Sequence, residues 1–179
     1  RRRCSASSTP RSPAANATTW LPSAAGAPTR RGRLVSFFTQ GDGLAIAAGL
    51  EDETYALDEM VYELANLDAG FRFCGEDNRW AGRLTMACQE RFGLQSIDGY
   101  LENGVPPHYG AGAEQVVASI HRNPATKIKW MTEWLGPGDI DRVIIEWRSR
   151  LRQITHAPAL DWPRWTALQA MARGILHQT

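Results

Sequence analysis

Seven arginines and not one acid lie in residues 1–34 (Arg1, Arg2, Arg3, Arg11, Arg30, Arg31 and Arg33), whereas residues 35–179 carry 13 Lys and Arg against 19 Asp and Glu. The overall charge of +1 thus joins a basic head to a body of net −6. Residues 1–33 are rich in Ser, Ala, Pro, Thr and Arg. Such a segment buries too little apolar surface to offset its ordering entropy, which predicts a disordered tail over 1–33. Residues 34–179 are the predicted folded unit. A unit of about 145 residues fits one domain and buries roughly 68–70% of its unfolded surface.

The three cysteines, Cys4, Cys74 and Cys88, form neither a disulfide framework nor a zinc spacing. They fit reduced thiols in a cytoplasmic protein. Asn16-Ala17-Thr18 matches a glycosylation sequon, which matters only in a secreted chain. No apolar run approaches the ~18–20 residues that a membrane span needs, and the N-terminus lacks the apolar centre of a signal peptide. The first residue is Arg rather than Met, which a fragment or a misassigned gene start explains.

The pattern beyond residue 33 is mainly helical, with six or seven helices and at most two short strands. Leu34-Val-Ser-Phe-Phe38 is β-branched and aromatic, and reads as a short strand or extended entry. Leu44 to Ala48 reads as a buried helix. Leu57, Met60, Val61, Leu64 and Ala65 share one helical face, with Gly70 as a stop. Trp80, Leu84, Ala87 and Cys88 make a second stripe, closed by Gly93. Ser96 is a candidate cap for a turn holding Ile97, Tyr100 and Leu101. Val116, Val117 and Ile120 point inward from the next helix, and Asn123-Pro124 opens another that offers Ile128, Met131, Trp134 and Leu135 to the core. Asp139 is the expected N-cap of a strongly amphipathic helix with Ile140, Val143, Ile144, Trp147 and Leu151. Asp161 is the expected N-cap of a last helix through Trp165, Leu168, Ala172 and Ile175.

Catalytic spacings are missing: no GxxxxGK[ST] loop, GxSxG elbow, HExxH or EF-hand loop occurs. Glu51-Asp52-Glu53 with Asp58 and Glu59 has the composition of a metal or acid/base site, but carboxylates around helix starts also serve as solvated dipole partners. The histidines at 108, 121, 156 and 177 have no local Cys or Ser partner, and a stand-alone enzyme would need distant groups such as Glu53, His108 and His156 brought together. From Lys127 onward the chain holds eight Lys and Arg against five acids, interleaved with tryptophans. Lys127, Lys129, Arg148, Arg150 and Arg152 are the candidate nucleic-acid-binding residues, since arginine and lysine attract phosphate and tryptophan stacks on unpaired bases. The same spacing also describes core tryptophans beside a solvated face, and both readings stand at this level.

Residues 32–55 (GRLVSFFTQGDGLAIAAGLEDETY), 57–73 (LDEMVYELANLDAGFRF) and 139–151 (DIDRVIIEWRSRL) together resemble the C-terminal accessory region of bacterial DEAD/DEAH-box helicases of superfamily 2. The resemblance spans residues 32–179 and implies a non-catalytic domain that helps bind an RNA or DNA strand or braces the motor. It places the ATP and Mg²⁺ sites in motor domains upstream, so no cofactor is expected in this chain. Asp58-Glu59 is not the family's acidic box, because it lies on an amphipathic helix with no strand before it. Residues 1–31 depart from the helicase pattern. The alternative function is a helical protein–protein interaction module unrelated to nucleic acid.

Overall fold

A computed structural model describes residues 27–74 and 78–178. The polypeptide is mainly helical: α1 (Arg30–Phe37), α2 (Asp42–Glu51), α3 (Leu57–Glu63), α4 (Arg83–Phe92), α5 (Ala113–Arg122), α6 (Pro137–His156) and α7 (Pro163–His177), with 3₁₀ turns at Leu64–Asp68 and Pro124–Trp130. No strand forms among the described residues; two isolated bridges, Ile97 with Leu101 and Glu102 with Val105, pin the loop after α4. No helix of the described residues is long and apolar enough to cross a membrane.

Helix α2 is the centre of the packing. Every residue from Asp42 to Leu50 is buried, on all sides of the helix. Small residues make this possible. A Cβ on Gly43 would lie 2.7 Å from the Val35 Cα of α1, and one on Gly49 would lie 2.8 Å from the Met60 Cε of α3. Helix α1 therefore approaches α2 at backbone distance, and the Met60 side chain of α3 fills the space over Gly49, where added bulk would overpack. The carbonyls at the C-terminal end of α2 are held by Arg164 of α7, whose Nε donates to Leu50 O at 3.0 Å and whose Nη2 donates to Gly49 O at 3.4 Å and, in the loop that follows, to Tyr55 O at 2.6 Å. A guanidinium placed there satisfies acceptors that the helix leaves open and opposes its negative pole.

The amphipathic stripes of the other helices close as their periodicity predicts. Met60, Val61, Leu64 and Ala65 are buried, as are Leu84, Ala87 and Cys88 of α4, Ile140, Val143, Trp147 and Leu151 of α6, and Trp165, Leu168, Ala172 and Ile175 of α7. The Trp147 indole donates to Val61 O at 2.8 Å, so a large apolar ring enters the core without an orphaned N–H.

Several expectations are corrected. Residues 34–38 are not a strand: α1 runs Arg30–Phe37, capped by Thr29, whose hydroxyl accepts from Gly32 N at 3.1 Å. Burial of Leu34 and an ion pair from Arg31 to Glu51 at the far end of α2 outweigh the local β-propensity. The ordered unit thus begins before residue 34, and Arg30, Arg31 and Arg33 belong to it. The expected disorder of residues 1–26, the sequon at Asn16, Cys4 and Trp20 lie outside the described residues. Trp80 precedes α4 and is exposed, and of the Ile97–Leu101 turn only Leu101 is buried. Ser96 accepts from Asn103 N across a loop instead of capping a helix. Asp139 is the third residue of α6 and accepts from Gly136 N at 3.0 Å, closing that helix's start from within. Trp162, not Asp161, is the residue before the first turn of α7.

Candidate nucleic-acid interface

The segment between α5 and α6 is too short to bury two faces. Asn123 caps it by accepting from Ala125 N at 3.1 Å, and Pro124 starts a 3₁₀ turn that ends at Trp130. Only its last residues reach the interior. Leu135 packs with Val116 and Ile140 in a small satellite core, against which Trp130 leans. Anchoring Leu135 turns its neighbour outward. The Thr132 hydroxyl accepts from Leu135 N at 3.0 Å and Trp134 N at 3.3 Å, while Thr132 N donates to Leu135 O at 3.1 Å. A tight, self-bonded loop therefore presents Trp134 at 87% exposure and Ile128 at 76%, with Met131 exposed between them. The expected inward packing of Ile128, Met131 and Trp134 is corrected to this display.

The five candidate cations do not form one surface. Lys129 is exposed on the 3₁₀ turn. Lys127 is partly covered and ion-paired with Asp141 of α6 at 2.5 Å. Arg148 and Arg152 share one face of α6, four residues apart, with Arg152 exposed and Arg148 half-buried. Arg150 lies across the helix from both. It is 8% exposed and binds Asp42 of α2 and Asp68 of the first 3₁₀ turn, each at 2.8 Å, with Gln153 at 2.9 Å. No phosphate reaches it there, and Arg150 is a core residue that ties three elements together. The sequence hid this because acids at positions 42 and 68 are far from it in the chain.

Beside Arg148 lies a stacked set: the Tyr62 ring over Trp147 at 5.7 Å, with His121 edge-on to Trp147 at 5.7 Å and hydrogen-bonded to the Tyr62 hydroxyl at 2.9 Å. Burial lowers the His121 pKa, and the charges of Arg148 and Arg122 lower it further, so the ring is neutral and structural. A cleft along α5 is walled by Asp58, Glu59, Glu63 and Glu114 against the single cation Arg122, a balance that repels a polyanion. The Glu51–Glu53 cluster is engaged by arginines: Glu51 by Arg31 and Arg91, Asp52 by Arg83. No group of three or more His, Cys, Asp and Glu among the described residues is placed to hold a metal ion. No contact among the described residues joins Glu53, His108 and His156. Cys74 is half-buried and Cys88 buried, both as free thiols.

The exposure of Trp134 is what sequence reasoning missed. The available signal was composition: among the ten residues between Pro124 and Leu135, the polar pair Thr132-Glu133 just before Trp134 interrupts the apolar offsets. A scan against protein-family models, a search of curated proteins and a search of solved structures find no match to this chain.

Proposed function

We propose that this chain is a non-catalytic, cytoplasmic accessory domain of an ATP-dependent DEAD/DEAH-box helicase, and that it guides a single strand of RNA or DNA past the motor. The observation that carries this reading is Trp134, held at 87% exposure by its own loop, five residues beyond Lys129 in the chain. An exposed aromatic face beside cations is the pairing that binds unpaired bases without regard to sequence. Lys129, Arg148 and Arg152 supply the phosphate contacts. The segments that resemble the helicase region correspond to α1–α2, to α3 with its 3₁₀ extension, and to the first three-quarters of α6. In this reading they build the scaffold while the strand is met by the loop between α5 and α6.

Titration with a single-stranded 12-mer, followed by intrinsic fluorescence, tests it. Three phosphate contacts imply an affinity loss of about 20-fold between 50 and 200 mM salt, and Trp134→Ala a further loss of about tenfold. Binding that ignores salt, or no binding at micromolar protein, overturns the proposal. A second reading, a protein-interaction module, is favoured by Ile128, whose aliphatic side chain is 76% exposed and cannot stack on a base. Light scattering that finds a mass above the monomer, abolished by Ile128→Asp, together with failure to bind the 12-mer, selects that reading.

A further inference from the structure

We propose that a second nucleotide of the bound strand seats in the cleft between the Gly70–Arg72 turn, His108 and the first turns of α6, its base on Phe71 and its phosphate against Arg142 and His108; this rests on the strand-binding reading above. The cleft has a volume of about 730 Å³ and is lined by Gly70, Phe71, Arg72, His108, Arg142 and Glu146. That is the size class of small-ligand sites.

Phe71 is 50% exposed yet fixed. One face of its ring lies over the Arg79 guanidinium, 4.7 Å away. Arg79 is itself immobile: it is 5% exposed, donates to the carbonyls of Tyr109 and Pro107, and pairs with Glu102 at 3.1 Å. A ring backed by a locked cation is a preorganised stacking surface, because little side-chain entropy remains to be lost when a base covers its open face. The turn beneath is equally rigid. Gly70 N donates to His108 O at 2.9 Å, and a Cβ on Gly110 would lie 1.5 Å from Gly70 O, so two backbones meet there with no room for a side chain.

The charge of the wall suits a phosphate. Arg72 and Arg142 share a single carboxylate, Glu146, at 2.6 and 2.8 Å. Asp68, the other acid at the cleft, points to Arg150, which it shares with Asp42. Arg72 is held by Asp68 O, Ala69 O and Glu146, and serves as a fixed positive wall. Arg142 and His108 are exposed and can turn toward a ligand. The two sites are linked through consecutive residues of α6: Asp141 pairs with Lys127 of the Pro124–Trp130 turn, and Arg142 borders the cleft.

The test is photocrosslinking of the full chain to single-stranded 12-mers carrying 5-iodouracil, with crosslinked peptides mapped by mass spectrometry. Expected are crosslinks at both Trp134 and Phe71, and loss of only the second in Phe71→Leu, with affinity reduced about tenfold. Arg142→Gln provides a variant at an exposed position, and it should lower the salt dependence of log K by about 0.7, the share of one phosphate. Crosslinking at Trp134 alone, with affinity unchanged in Phe71→Leu and Arg142→Gln, overturns this inference and leaves the strand-binding reading intact. No crosslink and no binding overturn both.

Discussion

Replacing Arg150 by alanine removes the one guanidinium shared by Asp42 and Asp68. It leaves a carboxylate that is 5% exposed, Asp42, without its partner. Breaking a buried pair in this way costs about 3–5 kcal/mol, whereas Arg152→Ala, two residues on and exposed, should shift stability by no more than about 0.5 kcal/mol. Urea midpoints of the two variants check the contrast. Asp42 adds a pH signature. Burial pushes its pKa from 3.8 up to about 7, against the pull of Arg150 and with a smaller push from Asp68. The folded protein then holds a proton that the unfolded chain releases between about pH 4 and 7. Stability from this group is complete below about pH 4 and is lost as pH rises through about 7. His121, whose pKa is lowered on folding, acts in the opposite direction below about pH 6.5. Denaturation midpoints between pH 5.5 and 7.5 should therefore differ in slope between the wild type and Asp42→Asn, with the decline toward neutral pH removed in the variant. None of this was legible from the chain alone. Helical spacing separates Arg150 from Arg148 and Arg152, but it does not say which side meets buried acids from elements 82 and 108 residues earlier.

At the scale of elements, α4 depends on a neighbour for its start. Its first residue follows Gly82, which has no side chain to cap it. Glu63, the last residue of α3, supplies the acceptors: its carboxylate takes Arg83 N at 3.0 Å and Leu84 N at 2.6 Å. Glu63→Ala should cost about 1–3 kcal/mol and speed hydrogen exchange at the amides of residues 83 and 84, while the amides of α7 keep their protection. Long stripes were readable because a period of 3.6 survives in α6 and α7 whatever packs on them. The short elements were not. Leu34-Val-Ser-Phe-Phe38 has the composition of a strand, yet nothing lies beside it to complete a ladder, and contact with α2 decides for helix. The turn at Pro124–Trp130 has apolar residues at plausible helical offsets, but a 3₁₀ period of three residues places Ile128 outward. The candidate site was therefore half legible: Lys129 and Arg152 stand at the surface as the charge pattern implied, while Trp134 and Phe71 became surface features only through loop geometry.

For the whole molecule, one core runs from Leu34 in α1 to Ile175 in α7, and the termini of the described residues both pack on α2 or its covering helices. The mainly helical single unit was legible from the sequence because the long stripes of α6 and α7 needed each other and the helices beside them. The buried helix α2, between α1 and α4, has an outline drawn by what it lacks. Gly43 leaves no room for a substituent toward the backbone of α1, Gly49 seats the Met60 thioether of α3, and Ala45, Ala47 and Ala48 keep the helix slim between Leu44, Ile46 and Leu50. Surface charge can drift without touching this arrangement, but a branched side chain at Gly43 would drive two helices apart. Divergent kin of this chain should therefore be sought by the register of tiny residues along that hidden rod, and by an arginine some 115 positions later that grips its tail, long after their loops and acids have ceased to align.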